Sequence, residues 1–151
     1  HAAYANLAIE GELAVCIGED GAVAEVLPVI ELHHHVFRSP RPRLEELVAN
    51  NGIHAGVVLP QRRTRWPTAL GELCIEIDGR IVERGPAGGV PGGPEGSVAW
   101  LRAHLAEHGL PLEPGHLVLT GTPLGLLRVA PGQRIRVVAD GLGEVEATVA
   151  I

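Results

Sequence analysis

An apolar run near the start of the chain is interrupted by polar residues at alternate positions, which is the pattern of a β-strand. Side chains in a strand point alternately to its two faces. In residues 6–17 one face carries Ile9, Leu13, Val15 and Ile17, and the other carries Glu10, Glu12, Ala14 and Cys16. We therefore predict a first strand over residues 6–17 whose aliphatic face lies in the core.

Similar patterns recur along the rest of the chain. Apolar residues at helical spacing predict helices over residues 44–50 and 94–108. Alternation predicts strands over residues 55–59, 73–77, 80–84, 116–120, 134–139 and 144–151, with an Asp78-Gly79 hairpin turn between the second and third. Residues 22–32 are ambiguous. Their first half could form a short helix, whereas Pro28 favours extended backbone, and residues 29–32 then resemble a second strand.

Many short strands, two modest helices and 20 glycines indicate a mainly β domain rather than a doubly wound α/β fold. A chain of 151 residues can bury one sizeable core but not two independent ones. We expect residues 1–151 to form a single domain. Because the chain contains no Met, His1 is not a natural translation start, and we expect the chain to be a fragment, a processed product or part of a longer protein.

Two carboxylates lie on the same face of the first predicted strand. Glu10 and Glu12 would be roughly 6–7 Å apart at Cα, beside small residues. Neighbouring negative charges repel each other unless a positive group lies between them, and a divalent cation with oxygen ligands would meet that need. A solvated strand face explains the spacing equally well, so the spacing leaves both interpretations open.

A run of three histidines follows residues 29–32. If that segment is a strand, His33 and His35 share a face with Glu31, and one of them could be a metal ligand, a partner of a ligand or a general base near neutral pH. For any single histidine, an exposed strand end is the commoner explanation. A His-x-His metal site of the cupin type lacks acidic and histidine partners at suitable spacing.

The composition excludes several classes of function. The net charge is −6, and all 12 cationic side chains are arginines scattered along the chain, so no nucleic-acid partner is expected. No apolar run approaches the ~20 residues of a membrane span. Cys16 and Cys74 lie in apolar strand-like runs, which favours buried thiols in a reducing cytoplasm. The absence of lysine excludes a lysine base or Schiff base within these residues.

The order of several segments resembles that of the fumarylacetoacetate hydrolase superfamily. These segments are the Glu10-x-Glu12 strand, the later Glu31, the turn over residues 50–56, the start of the second predicted helix over residues 96–101, the Thr120-Gly121-Thr122-Pro123 turn, and residues 130–137. The chain is most similar to the branch of 2-oxopent-4-enoate hydratases and oxalocrotonate decarboxylases. It covers the C-terminal two-thirds of a usual member.

This resemblance implies a rolled, mixed β-sheet with two or three short helices, and a homo-oligomer, at least a dimer. It implies that Glu10, Glu12 and Glu31 bind Mg²⁺ or Mn²⁺, which chelates a small 2-oxo acid substrate and stabilises its enolate. The activity implied is a lyase of aromatic-compound catabolism, with hydratase preferred to decarboxylase.

Other site residues are expected around these ligands. His54 and Asn51 align with a family turn close to the substrate, and we name His33 and His54 as the candidate catalytic residues. The hydroxyls of Thr120 and Thr122 and the amides around Gly121 suit an anion, so we expect them to bind a substrate carboxylate, although a tight turn that only ends a strand has nearly the same pattern.

The chain departs from the family pattern in two ways. The lysine-bearing segment that family hydratases place before the Glu-x-Glu strand is not in these residues, and the connection between Glu12 and Glu31 is shorter than usual. Two other hypotheses therefore stay open: hydrolysis of a carbon–carbon bond in an acylpyruvate, and a non-catalytic relative used for binding or assembly.

Overall fold

The structure is a computed structural model, and it describes residues 4–39 and 41–151. The elements, in chain order, are β1 (Leu7–Ile17), β2 (Val23–His34), α1 (Leu44–Ala49), a short 3-10 turn (Asn51–Ile53), β3 (His54–Val58), β4 (Thr64–Arg65), β5 (Glu72–Ile77), β6 (Arg80–Pro86), α2 (Gly93–Glu107), β7 (Leu117–Leu119), β8 (Leu127–Arg128), β9 (Arg134–Ala139) and β10 (Gly143–Thr148). The predicted mainly β class, with two or three short helices, is confirmed.

The strands form two sheets. In the larger one the order is β3-β2-β1-β7, with β4 also pairing with β2 and β8 with β1; in the smaller one it is β10-β9-β5-β6. Every strand pairing within the described ranges is antiparallel. The sheets of the described residues are therefore antiparallel rather than mixed.

The β1–β2 hairpin is the centre of the larger sheet and settles the ambiguity at residues 22–32. The helix alternative is wrong, because a single strand runs from Val23 to His34 and pairs with β1 along its whole length. Pro28 lies opposite Leu13, and the outer edge of β2 pairs with β4 before it and with β3 after it. A residue without an N–H is tolerated best where such a ladder is interrupted.

The core lies between the two sheets, on the face of β1 that carries its aliphatic side chains. Ile9, Leu13 and Val15 are fully buried there, as the alternation predicts. Gly11 lies where the two sheets are close together, because a Cβ at this position would be 2.7 Å from Ile75 Cγ1. The glycine between the two glutamates is therefore required by packing, and the glutamates point to the opposite face.

The two helices differ in how they are anchored. α2 buries Pro94 and Val98 against the rest of the domain, which confirms that one of its faces packs. α1 buries no residue, and Leu44 and Val48 on its apolar face are 75% and 74% exposed. None of the helices in the described ranges is both long and apolar enough to cross a bilayer.

Candidate metal centre

The hairpin register brings Glu31 next to the Glu10-x-Glu12 pair. Glu10 and Glu31 are directly opposite each other on β1 and β2, and Glu12 lies opposite Val29. Directly opposed residues of an antiparallel pair point to the same face, with Cβ atoms about 4.5–5.5 Å apart, and like charges in such a pair repel each other. The short connection between Glu12 and Glu31 is thus a tight hairpin that presents three carboxylates on one face.

His33 lies between two of these carboxylates. Its Nε2 is 3.3 Å from Glu10 Oε2 and 3.4 Å from Glu31 Oε2, and the ring is buried. Burial works to lower the pKa of His33, but the contacts with Glu10 and Glu31 outweigh it and raise the pKa to about 9. A protonated imidazole therefore balances part of the negative charge. Glu10, Glu31 and His33 offer ligand atoms within 4.8 Å of one another.

His54 holds the second oxygen of Glu31. Its Nδ1 donates a hydrogen bond to Glu31 Oε1 at 2.6 Å. Burial works to raise the pKa of Glu31, but the hydrogen bonds from His33 and His54 outweigh it and lower the pKa to about 2. Glu31 is therefore an ionised carboxylate with both oxygens fixed by imidazoles.

A β-bulge aims His54 at this carboxylate. Leu32 pairs with Gly56, whereas His33 pairs with His54, so Ala55 is an extra residue in β3. Without it, alternation would place His54 on the other face of the sheet, away from Glu31. The sequence analysis did not predict this bulge.

Glu12 has the most unusual environment of the three glutamates. Its side chain is only 1% exposed, and neither carboxylate oxygen has a hydrogen-bond partner of good geometry in the described ranges. Burial raises the pKa of Glu12 to about 9; the neighbouring Glu31 carboxyl adds to this effect, and the Gly121 backbone opposes it. A solvated strand face is thus the wrong interpretation of Glu12. Burying a carboxyl group in such an environment is costly.

The Thr120-Gly121-Thr122 turn fastens the strand on both sides of Glu12. Thr120 Oγ1 donates to the carbonyl oxygen of Leu13 at 2.7 Å, and Thr122 Oγ1 donates to that of Gly11 at 2.6 Å. Both hydroxyl protons therefore already have acceptors in the backbone of β1. A substrate-binding role of the three turn residues, through amides or hydroxyl lone pairs, stays a prediction.

The structure brings most, but not all, of the predicted site residues together. Glu10, Glu12, Glu31, His33 and His54 converge, and the turn at residues 120–122 borders Glu12. Asn51 is exposed in the turn before β3, and its backbone carbonyl oxygen accepts an N–H at the C-terminal end of that turn, where His54 lies. Its role as a substrate contact also stays a prediction.

One of the two thiols differs from expectation. Cys16 is buried, as predicted, but Cys74 is partly exposed; both are free. Arg63 Nη1 donates to Cys16 Sγ at 3.1 Å and lies 3.5 Å from Glu25. This ion pair covers the same sheet face as the glutamates, at the far end of the β1–β2 hairpin.

The residues present fit a hard divalent cation. Three carboxylates supply oxygen donors, which suit Mg²⁺ or Mn²⁺, and the unpartnered oxygens of Glu12 lack only a positive partner. His33 occupies the space between Glu10 and Glu31 as a cation does, so a bound metal and the His33 proton would compete for the same carboxylates.

Comparison with known proteins identifies the family of this fold. Residues 56–150 match the family model described as the C-terminal domain of fumarylacetoacetate (FAA) hydrolase. The chain belongs to this family. The three glutamates precede the matched range. The bulged strand β3, which begins at His54, extends into it.

Individual family members give more detail. The chain is 32% identical over 130 residues to a 4-oxalocrotonate decarboxylase of Pseudomonas putida, covering 83% of this chain and 49% of that protein. It is 28% identical over 159 residues to a 2-keto-4-pentenoate hydratase of Paraburkholderia phymatum, covering 93% and 59% respectively. The chain thus spans between about half and three-fifths of the length of these relatives.

Solved structures show the same fold. The structure of 4-oxalocrotonate decarboxylase from Pseudomonas putida G7, complexed with magnesium and adipate, has a TM-score of 0.88 at 26% identity, covering 98% of this chain and 62% of that one. The fumarylpyruvate hydrolase from Pseudomonas aeruginosa in complex with Mn²⁺ and pyruvate has a TM-score of 0.68 at 19% identity, covering 100% and 69%. The second likeness shows the fold alone.

Proposed function

We propose that this chain carries the metal site of a lyase, a hydratase that acts on a small 2-oxo or 2-hydroxydienoate acid. The observation that supports it most is Glu12, a fully buried carboxyl next to Glu10 and Glu31 that has no hydrogen-bond partner of good geometry among residues 4–39 and 41–151. Such a group is costly in a metal-free fold, and function is the usual reason to keep it. The 2-keto-4-pentenoate hydratase relative supports the reaction class.

Glu10, Glu12 and Glu31 are the proposed ligands of Mg²⁺ or Mn²⁺. When bound, such an ion acts as a Lewis acid towards a 2-oxo acid and stabilises the negative charge that develops when a proton leaves it. Structures of 4-oxalocrotonate decarboxylase complexed with magnesium or with calcium support a divalent ion. Hard oxygen donors favour Mg²⁺ or Mn²⁺ over zinc.

The histidines supply the acid–base groups that the chain offers at this site. His33 holds a proton on Nε2 between Glu10 and Glu31, and a metal ion that neutralises those carboxylates would ease its release. His54 orients Glu31 through Nδ1. We propose that His33 moves a proton to or from the substrate and that the backbone around Gly121 binds the substrate carboxylate.

Decarboxylation is the second candidate. It is favoured by the high similarity to the decarboxylase structure from Pseudomonas putida G7. Both reactions need the same stabilisation of charge next to the 2-oxo group, so the metal site does not distinguish them. A homo-oligomeric state and a cytoplasmic location stay predictions from the sequence.

Product analysis with Mg²⁺ tests the proposal and separates the two reactions. We expect 2-keto-4-pentenoate to gain one water with its carbon skeleton intact, whereas a decarboxylase would release CO₂ from 4-oxalocrotonate. Glu12→Gln should abolish turnover of either compound. Glu25→Gln is the matched control, since Glu25 lies on the same sheet face but next to Arg63. If added metal changes the turnover of neither compound, the lyase assignment is wrong.

A further inference from the structure

The turn between α1 and β3 has a backbone conformation that one of its residues disfavours. Asn51, Gly52 and Ile53 all have positive φ, at 50°, 64° and 64°, and Ile53 N–H donates to Asn50 O at 3.0 Å. Asparagine and glycine adopt left-handed backbone readily, but for a β-branched residue it is an outlier. The surrounding structure must therefore hold Ile53 in place.

This turn leads directly to the histidine that fixes Glu31. Ile53 is partly buried, and His54 returns to extended backbone with φ −58° and ψ 131° as the first residue of β3. The bulge at Ala55 follows at once. Two irregular features therefore flank His54, one on each side, and together they determine where its ring points.

We propose that Ile53 is a positioning residue: with the left-handed turn Asn51–Ile53 and the bulge at Ala55, it holds His54 Nδ1 against Glu31 and so fixes that carboxylate for the metal. Strained backbone of this kind persists where it serves a site. Partners that orient a metal ligand typically affect metal affinity about 10–100-fold. The inference rests on the metal site proposed above.

Two substitutions at residue 53 separate the side chain from the backbone. Ile53→Ala removes most of the side chain, and alanine favours negative φ. The turn should therefore change its backbone conformation, and the His54 ring should no longer be oriented towards Glu31. Ile53→Gly also removes the side chain but accepts positive φ without strain. We expect Mn²⁺ affinity, measured by calorimetry, to fall about 10-fold in Ile53→Ala and less in Ile53→Gly. Equal losses in the two variants would overturn the proposal.

A double-mutant cycle shows whether the effect passes through His54. In a His54→Ala background, Ile53→Ala should cause no further loss of Mn²⁺ affinity. An undiminished loss in that background would mean that Ile53 acts by another route. Asp78 provides the control, because it also has positive φ but lies in the β5–β6 turn. Asp78→Ala should leave Mn²⁺ affinity unchanged. If Asp78→Ala lost as much Mn²⁺ affinity as Ile53→Ala, the effect would be a general destabilisation of the fold, and the proposal would be contradicted.

A measurement on metal-free protein keeps this inference separate from the proposed function. The Nδ1 proton of His54 should give a slowly exchanging NMR signal in the wild type, because it is held by Glu31 at 2.6 Å. That signal should be lost in Ile53→Ala and kept in Ile53→Gly. If the wild type binds no Mn²⁺, the proposed function fails, while this signal still decides the role of Ile53: its persistence in Ile53→Ala would refute it.

Discussion

Two pairs of glutamates with the same spacing occur in this protein, and they have opposite environments. Glu144 and Glu146 on β10 lie next to arginines of β9: Arg136 Nε donates to Glu144 at 3.0 Å, and Arg134 forms an ion pair with Glu146. This ion-pair network is largely exposed. Glu10 and Glu12 on β1 instead have Glu31 on the neighbouring strand, and the imidazole of His33 lies 3.3 Å from Glu10.

The difference shows that the partner on the next strand, rather than the Glu-x-Glu spacing, distinguishes a site from a surface. On the smaller sheet Glu144 and Glu146 are each paired with an arginine, an arrangement that adds little stability. On the larger sheet three glutamate side chains lie close together, and two buried protons, one on His33 and one on Glu12, offset part of their negative charge. That imbalance is what a divalent cation would correct.

The largest expected effect is on metal affinity. Glu31→Gln should weaken Mn²⁺ binding at least about 100-fold, because it removes a ligand charge held by two imidazoles. Glu146→Gln should change it less than 2-fold. Calorimetric titration of the two variants at one pH measures both values, and similar losses in the two variants would remove the contrast between the glutamate pairs.

The second effect is the dependence of metal-free stability on pH. The folded pKa values of Glu12 and His33, both about 9, exceed the unfolded values of 4.5 and 6.5. The stability that their protons contribute is complete below the unfolded pKa and is lost as pH rises through about 9. The unfolding free energy should therefore fall by about 1 kcal/mol or more per pH unit between pH 7 and 8.5.

Glu12→Gln is the test of that dependence. The variant should be more stable than the wild type at pH 8 without metal, and its slope against pH should be smaller by about one proton. Urea unfolding across pH 6–8.5 gives both quantities. A wild-type curve that is flat or rises over this range would show that Glu12 is not buried as a protonated acid.

A smaller effect is expected at the turn that fastens β1. Thr120→Val removes the hydroxyl that donates to Leu13 O but keeps the side-chain shape. The unfolding free energy should fall by about 1–2 kcal/mol, because a buried carbonyl loses a partner, and Mn²⁺ affinity should fall a few-fold. Thr148→Val at the end of β10 serves as the control, with no change in Mn²⁺ affinity.

The smallest effect is expected in the ion-pair network of the smaller sheet. Arg136→Gln removes contacts with Glu76 and Glu144, and exposed pairs of this kind contribute about 1 kcal/mol or less. Metal binding should not change. A loss of Mn²⁺ affinity in Arg136→Gln would show that the ion pairs of the smaller sheet and the glutamate site of the larger sheet are coupled, whereas we expect them to be independent.

Sequence reasoning predicted the parts of the fold that depend on local patterns. The alternation in β1, the Asp78-Gly79 hairpin and the span of α2 match the structure closely. It left residues 22–32 undecided, because the local pattern around Pro28 is compatible with both states. This segment is a strand because it pairs with β1 along the full hairpin. The amino acids of a short stretch do not by themselves show such a tertiary contact.

Sequence reasoning proposed ligands for the candidate site but did not predict how they are arranged. Glu10, Glu12 and Glu31 came from the family resemblance, and spacing alone could not separate metal from solvent. The position of His33 between Glu10 and Glu31 depends on the register of the β1–β2 hairpin. The orientation of the His54 ring depends on the bulge at Ala55. For the turn before His54 the only local indication was Asn51-Gly52, because these residues favour left-handed backbone. Nothing in the sequence pattern indicates that Ile53 also has left-handed backbone.

The most direct test of the central claim is a calorimetric titration of the wild-type chain with Mn²⁺ at pH 7.5, in two buffers that differ in ionisation enthalpy. We expect one ion per chain and the release of at least one proton per ion, since Glu12 and His33 are protonated in the metal-free site. Absence of binding, or binding without proton release, would contradict it.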